Sequence, residues 1–321
     1  MLEVTGLKKT FTSGIISRTV TRAVDDVSFF IEKGETLGLV GQSGCGKSTL
    51  GQCVLRLIEP TAGKIVFNGT DITALDNRAL NSIRPSMQMI FQNPDSSLDP
   101  KMTIGQSIAE PLKLKGNNRE KTESKVVELI KQVGLSPEHI HRFPHQLSGG
   151  QNQRAVIARV LALEPIFIVA DEPTASLDIS VQAQILNLLK DLKEEYDLTM
   201  LFISHDLELM KHMCERVAVM YRGKIVETGK IEDIFQHPLH PYTKLLLTGD
   251  SDLEISTVDY KGTKNQGTKN PVCSYYFECP LRSKACLTET PELKKASNNQ
   301  LVACHHILKN VSGNIIRMEN Q

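Results

Sequence analysis

The chain has 321 residues, long enough for one large domain or two modest ones with a proper core, and its 37 Lys and Arg are balanced by 37 Asp and Glu. A formally neutral chain argues against broad nucleic-acid binding, which needs a net basic face, and no stretch approaches the ~20 uninterrupted apolar residues that cross a bilayer. The opening Met1-Leu2-Glu3-Val4-Thr5 lacks a signal-peptide pattern, and seven unevenly scattered cysteines read as free or metal-bound thiols of a reducing compartment, so a cytosolic protein is expected.

In chain order, Val27–Ile31 and Thr36–Val40 are short apolar runs bounded by turn signals such as Gly34, and they read as strands. Directly after Val40, the octet Gly41-Gln42-Ser43-Gly44-Cys45-Gly46-Lys47-Ser48 fits Gly, four residues, Gly, Lys, Ser or Thr, and Thr49–Leu55 continues as a helix. Glycines let the backbone amides wrap around anionic oxygens, and the helix that follows points its positive end at them. Lys47 is then suited to reach β and γ phosphates and Ser48 to hold magnesium. A chance glycine-rich turn is the bland alternative, disfavoured by the strand before it and the helix after it.

Lys121–Val133 is a charged amphipathic helix with Val126, Ile130 and Val133 on one side, in a segment poor in strand signals, which places a helical insertion at about 95–160. Leu147-Ser148-Gly149-Gly150-Gln151 precedes the small and apolar run Ala155–Ala162, so Ser148 caps a buried helix beside exposed glycine amides, a second anion-binding end. The bland reading is an ordinary capped helix start. Ile166–Ala170 is a buried strand ending in Asp171-Glu172, and ligands of parallel sheets gather at that end. Asp171 is suited to magnesium and Glu172 to general-base attack by water, although two acids after a strand are otherwise a solvated turn. Val181, Ile185, Leu188, Leu189 and Leu192 keep helical spacing, Thr199–Ile203 reads as a strand, and helices alternating with buried strands imply a parallel sheet. Val217–Tyr221, Arg222-Gly223 and Lys224–Val226 form a hairpin. After Leu247 the composition turns to Gly, Asp, Ser, Thr, Lys and Asn, a linker at 249–270.

With these motifs in this order, the chain resembles an ATP-binding subunit of an ABC transporter over roughly residues 1–245. The resemblance implies an α/β P-loop NTPase (RecA-like) core with an antiparallel β subdomain, a helical ABC-specific subdomain and a small cysteine-containing C-terminal appendix. The corresponding divisions are 1–248, the linker 249–270, and 271–321. It further implies that Ser148, Gly149, Gly150 and Gln151 act in trans on the nucleotide of an opposite subunit in a head-to-tail dimer. Gln92 matches the glutamine that senses magnesium and the transmembrane partner. Asp178, closing Ala175-Ser176-Leu177-Asp178, matches the loop that couples the two sites, His205 the histidine at the γ phosphate, and Phe11 the aromatic that stacks on adenine. The nucleotide set is then Phe11, Gly41 to Thr49 and Gln92. The catalytic set is Lys47, Glu172 and His205, and magnesium is held through Ser48, Gln92 and Asp171.

Phe91–Pro100, His237–Thr243 and the cysteine tail narrow the resemblance to the oligopeptide, dipeptide and nickel importer branch; Gly34–Gly41 and Leu55–Thr61 are similar to the second, F-type ATPase of a pair. This implies a D-type sister ATPase, two permeases and an extracellular solute-binding protein as partners, no nucleic acid, and a peripheral place on the cytoplasmic face of the membrane. Import of nickel or another metal complex is the alternative, and a soluble non-transport ABC ATPase a remoter one. Asn152, where a basic residue or glutamine is usual, and Gln42, where glutamate is common, depart from the pattern.

Cys273, Cys279, Cys286 and Cys304 are separated by five, six and seventeen residues. No close Cys-x-x-Cys pair of the kind zinc favours occurs among them. The spacing resembles the four-cysteine motif of peptide-importer ATPases, some of which bind a [4Fe-4S] cluster there, and four thiolates are the ligand count it requires. Another metal or free thiols are the alternatives, and Glu278 stands where that motif usually has arginine. Cys45, Cys53 and Cys214 read as small apolar fillers.

Overall fold

Leu2–Ser13 (β1) and Thr19–Ile31 (β2) pair antiparallel, Leu2 opposite Ile31, in a computed structural model that describes residues 1–14, 19–248, 272–297, 300–306, 310–311 and 314–315. Leu2, Val4 and Leu7 face inward, the alternation slipping by one residue where the register shifts between Val4 and Leu7. Thr36–Val40 (β3) follows, buried throughout, and runs through the glycine-rich octet into Lys47–Val54 (α1). Ala62–Phe67 (β4) and Thr70–Asp71 (β5) complete a small sheet in the order β2-β1-β4-β5. After Asn77–Ile83 (α2) comes Met87–Ile90 (β6), the far edge of the main sheet.

The helical insertion comprises Ile104–Leu114 (α3), Arg119–Gln132 (α4) and Gly149–Leu161 (α5). Its internal face is the expected one: Val126, Ile130 and Val133 are all buried. The chain then returns through Phe167–Asp171 (β7), Ile179–Tyr196 (α6), Thr199–Ser204 (β8), Leu207–Met213 (α7), Arg216–Tyr221 (β9) and Lys224–Lys230 (β10). The strands β9, β3, β8, β7 and β6 are parallel neighbours. Buried on both faces, they divide their side chains by alternation. Ile168, Ala170, Met200, Phe202, Val217 and Val219 join the helical insertion in one core; Phe167, Val169, Leu201, Ile203, Ala218 and Met220 join the small sheet and α1 in the other.

The β9–β10 hairpin turns on Arg222 and Gly223, both at positive φ (43° and 84°), the two-residue geometry whose twist matches paired strands. Ile231–Gln236 (α8) and Pro241–Thr248 (α9) then lead to the expected linker at 249–270, which lies outside the described residues. Beyond it, Ala285–Thr288 (α10) is followed by Lys294–Ser297 (β11) and Gln300–Val302 (β12). β12 pairs antiparallel with β10, Val302 opposite Glu227, so the cysteine-bearing segment adds two strands to the main sheet, and Tyr275 and Cys279 enter its core. Among the described residues, no helix is long and apolar enough to cross a membrane.

Candidate functional site

The loop between β3 and α1 is shaped by close backbone approach. Gly46 holds φ 109°, and a Cβ there would lie 2.0 Å from the Ala23 carbonyl oxygen, so no other residue fits. Lys47 is buried, its Nζ donating to the carbonyls of Gly41 (2.7 Å) and Gln42 (3.2 Å). Ser43 to Thr49 line a cavity of about 400 Å³ together with Gln92 and Glu172 from the main sheet and Thr21, Arg22, Ala23, Arg222 and Gly223 from the β2 and β9–β10 side. Gly41 and Gln42 sit beneath it, as the carbonyl partners of Lys47. Backbone of the glycine-rich loop, the Lys47 ammonium and the side chains of Arg22 and Arg222 around one concavity suit a polyphosphate.

The two carboxylates emerge at the end of β7 as expected. Asp171 is buried, and its Oδ1 accepts from the Ser48 hydroxyl at 3.0 Å. Burial pushes its carboxyl above the ordinary range, while the Ser48 bond pulls the other way. A buried carboxylate beside a hydroxyl oxygen is a hard-donor pair of the kind magnesium takes when substrate phosphates supply further ligands, so these residues fit that ion. Glu172 has φ 46°, a strained left-handed value for this residue, held by its N–H bond to the Ile203 carbonyl at 2.9 Å. Its carboxylate sits among three expected partners: Gln92 Nε2 donates to it at 3.1 Å, His205 Nδ1 is 3.3 Å away, and Lys47 Nζ 4.0 Å. Gln92 therefore turns its amide nitrogen toward the Glu172 carboxylate in this conformation.

Ser148 caps α5: its hydroxyl accepts from Gln151 N–H (3.3 Å) while Gln151 Oε1 accepts from Ser148 N–H (2.9 Å), a reciprocal capping box. Gly150 is small for packing, since a Cβ would meet Val181 Cγ1 of α6 at 2.4 Å, and Gly149 abuts Leu177. The capped end thus lies against the loop closing in Asp178, which caps α6 by accepting from Val181 N–H at 3.0 Å. None of Ser148, Gly149, Gly150 and Gln151 lines the cavity around Lys47. Asn152 is buried and donates to the Pro144 carbonyl at 3.0 Å, a bond a longer residue would not make in the same place. Phe11 is 41 % exposed with the Lys9 ammonium 5.0 Å from its ring; Thr21, opposite it in the ladder, reaches the cavity lining and Phe11 does not.

Cys45, Cys53 and Cys214 are buried, as fillers would be. In the C-terminal segment, Cys273 N–H donates to the Cys286 carbonyl at 3.2 Å. Burial pushes the Cys279 thiol up to about 11 and Cys304 up to about 12, and the nearby Cys273 and Cys286 add to the rise in each. Four thiols therefore share one neighbourhood, yet among the described residues no three His, Cys, Asp or Glu side chains converge as a site for a single ion. Glu278 reaches back to the nucleotide side, accepting from the Tyr221 hydroxyl at 2.7 Å and from Arg222 at 2.8 Å. Sequence reasoning missed this link, together with Arg22, Arg222 and Tyr242, whose hydroxyl accepts from Gln42 N–H at 2.9 Å. The one signal available for Tyr242 was its place in His237–Thr243.

Phosphate loops occur in many folds, but a second helix end, capped by Ser148, opened by Gly149 and Gly150, outside the loop's cavity and carried by a helical insertion, narrows this one to the ATPase cassette of ABC type. Comparison with known proteins agrees: residues 24–175 match the ABC transporter family, and residues 226–286 match the oligopeptide/dipeptide transporter C-terminal region. The chain is 45 % identical over 320 residues to the oligopeptide transport ATP-binding protein AppF of Bacillus subtilis, covering 95 % of this chain and 97 % of that one. It is 44 % identical over 311 residues to a putative peptide import ATP-binding protein of Brucella ovis, with the same coverage. Among solved structures, it resembles the ATP-binding cassette MJ0796 in a dimeric post-hydrolysis state bound to ADP and Pi, with a TM-score of 0.66 and 31 % identity over 72 % of this chain and 99 % of that one. The chain belongs to the family of ABC-transporter ATP-binding subunits, and within it to the members that carry the oligopeptide/dipeptide C-terminal region.

Proposed function

We propose that this ATPase energises an importer of di- and oligopeptides, working as one half of a head-to-tail dimer with two ATP molecules sandwiched between subunits. One observation supports the reading: the capped end of α5 lies outside the cavity of its own chain's phosphate loop, as a helix end serving another subunit's nucleotide would. Within one site, the loop amides and Lys47 hold the phosphates, Ser48 and Asp171 hold the magnesium ion, and Glu172 takes a proton from the attacking water while His205 and Gln92 orient its carboxylate. Magnesium bound there neutralises phosphate charge. A groove of about 620 Å³ between β6 and the helical insertion, with Leu57, Phe91 and Leu114 exposed and Arg84, Asp99, Glu110 and Arg159 at its margin, suits a cytoplasmic segment of a permease. Phe91 adjoins Gln92, so a segment seated there bears on Glu172 through one residue. A D-type sister ATPase, two permeases and an extracellular solute-binding protein complete the assembly, at the cytoplasmic face of the membrane.

The four tail thiols match the donor type and number of a [4Fe-4S] cluster, in which each iron takes its own thiolate, so convergence on a single point is not required. Cys273, Cys279, Cys286 and Cys304 would hold it, each losing its proton on binding. Iron and acid-labile sulfide in anaerobically purified protein test this.

The test of the main reading is reconstitution of the chain with its permeases and sister ATPase in vesicles. Hydrolysis of ATP stimulated by peptide and its binding protein is the expected result; hydrolysis indifferent to peptides would reject the substrate class.

A further inference from the structure

The phosphate loop is held from outside by a residue that its motif does not contain. Tyr242 is fully buried, and its hydroxyl accepts a 2.9 Å hydrogen bond from the backbone N–H of Gln42, the second residue of the octet. The other end of that peptide unit, the Gly41 carbonyl, accepts from Lys47 Nζ at 2.7 Å. One peptide unit of the loop is therefore fixed by an aromatic hydroxyl two hundred residues away.

The tyrosine itself is anchored along a continuous path. Its N–H donates to His240 Nδ1 at 3.1 Å, which requires that nitrogen to be unprotonated. Glu227 of β10, fully buried, accepts from the N–H groups of Leu239 (2.8 Å) and His240 (2.9 Å), and from Gln300 Nε2 of β12 (3.0 Å). The Tyr242 ring lies 4.6 Å from that of Tyr221 and 5.6 Å from that of Tyr275, which also meets Tyr221 edge-on at 5.1 Å. Tyr275 stands between Cys273 and Cys279 in the sequence and is itself buried. Three aromatic rings thus connect the cysteine-bearing segment to the loop that Lys47 closes.

We propose that Tyr242 is a positioning residue of the nucleotide site, fixing the Gln42 amide, and that Tyr275 of the cysteine-bearing segment fixes Tyr242 in turn. A loop whose amides are pre-oriented binds phosphate without first losing backbone freedom, so loosening the anchor lowers affinity and leaves chemistry at Glu172 alone. This rests on the reading that Lys47 and its loop hold the nucleotide.

The experiment measures MgADP binding to the purified full-length chain, and KM and kcat for ATP in the assembled transporter. Tyr242→Phe keeps the ring and removes the hydroxyl; it should weaken MgADP binding and raise KM about fivefold, the size of one net hydrogen bond, with kcat unchanged. Tyr275→Phe keeps the packing ring and should match the wild type, whereas Tyr275→Ala should weaken binding as Tyr242→Phe does. Unchanged affinity in Tyr242→Phe, or an equal loss in Tyr275→Phe, overturns the role of the hydroxyl; unchanged affinity in Tyr275→Ala overturns the part played by the cysteine-bearing segment. Lys47→Ala separates the two levels: if it binds MgADP as the wild type does, the nucleotide-site reading fails, and if it loses binding while Tyr242→Phe does not, the positioning role alone fails.

Discussion

The Glu172 carboxylate lies 3.3 Å from His205 Nδ1, so the strand-end carboxylate and the histidine after β8 are in direct contact. Both come from adjacent parallel strands, β7 and β8, and Gln92 reaches the same Glu172 oxygen from β6, so three neighbouring strand ends converge on one carboxylate. Glu172→Gln keeps the shape and removes the base. Steady-state phosphate release by the assembled complex should fall at least about a hundredfold while MgADP affinity stays near that of the wild type. Full turnover in this variant would remove Glu172 from the mechanism.

Asp171 is expected to act through magnesium. Its buried carboxyl, raised by desolvation and paired with Ser48, regains a favourable charge when a cation arrives. Asp171→Asn retains an acceptor for the Ser48 hydroxyl without the charge. Affinity for MgADP should drop about tenfold or more, while ADP binding in excess chelator changes little. Calorimetric titration with and without magnesium reads the difference, and equal losses in both arms would assign Asp171 a structural part instead.

Gly150 tests packing apart from chemistry. With Val181 Cγ1 only 2.4 Å from the site of a Cβ, Gly150→Val must push α5 away from α6, at about 1–3 kcal/mol. Thermal unfolding should shift down by several degrees. Ser148→Ala, losing one cap of about 1 kcal/mol, should unfold nearly as the wild type does yet hydrolyse ATP slowly in the complex, with MgADP binding to the isolated chain unaffected. Weakened binding in the isolated chain would mean that the signature serves its own nucleotide.

The tail thiols make a chemical prediction. Burial lifts Cys279 to about 11 and Cys304 to about 12, so at neutral pH little thiolate exists in either. Alkylation of both in the folded, metal-free chain should be at least about a hundredfold slower than in denaturant, read by mass spectrometry of the modified peptides. Because any metal or cluster must displace those protons, its loading should increase steeply with pH.

What was legible in the sequence was local. The β3–loop–α1 unit, the strand ending in Asp171-Glu172 and the Ser148 cap each depend on a few consecutive residues whose backbone requirements leave a mark, as Gly46 does at φ 109°. Alternation and helical spacing likewise placed the strands of the parallel sheet and the helical insertion. The contacts that could not be read join distant segments: Tyr242 with Gln42, Glu278 with Arg222, and β12 with β10. No periodicity encodes a pairing between segments so far apart in sequence, and Glu227 in β10 reads as an ordinary polar strand residue until the N–H groups of Leu239 and His240 are seen to converge on it. Phe11 shows a different limit, because which residue of β1 faces the cavity depends on register shifts between Val4 and Thr10 that no short motif fixes.

The same buried path gives stability a pH dependence with a definite sign. His240 is almost wholly buried, and desolvation pulls its pKa from 6.5 to about 4. The folded chain keeps the imidazole neutral, with Nδ1 accepting from Tyr242 N–H, while the unfolded chain takes up a proton below about 6.5. Its contribution is therefore complete above that value and is lost as pH falls toward 4, up to about 3 kcal/mol. Burial raises the pKa of Glu227 and of Asp171, and raised carboxyls act oppositely, favouring the folded state on acidification. The difference between two chains isolates the histidine. His240→Asn offers Tyr242 N–H an acceptor that does not titrate, so the variant should be less stable than the wild type at about pH 7 and should lose less on going to about pH 4.5 in urea unfolding. Parallel losses in the two proteins would show that His240 is not the group excluded from protonation.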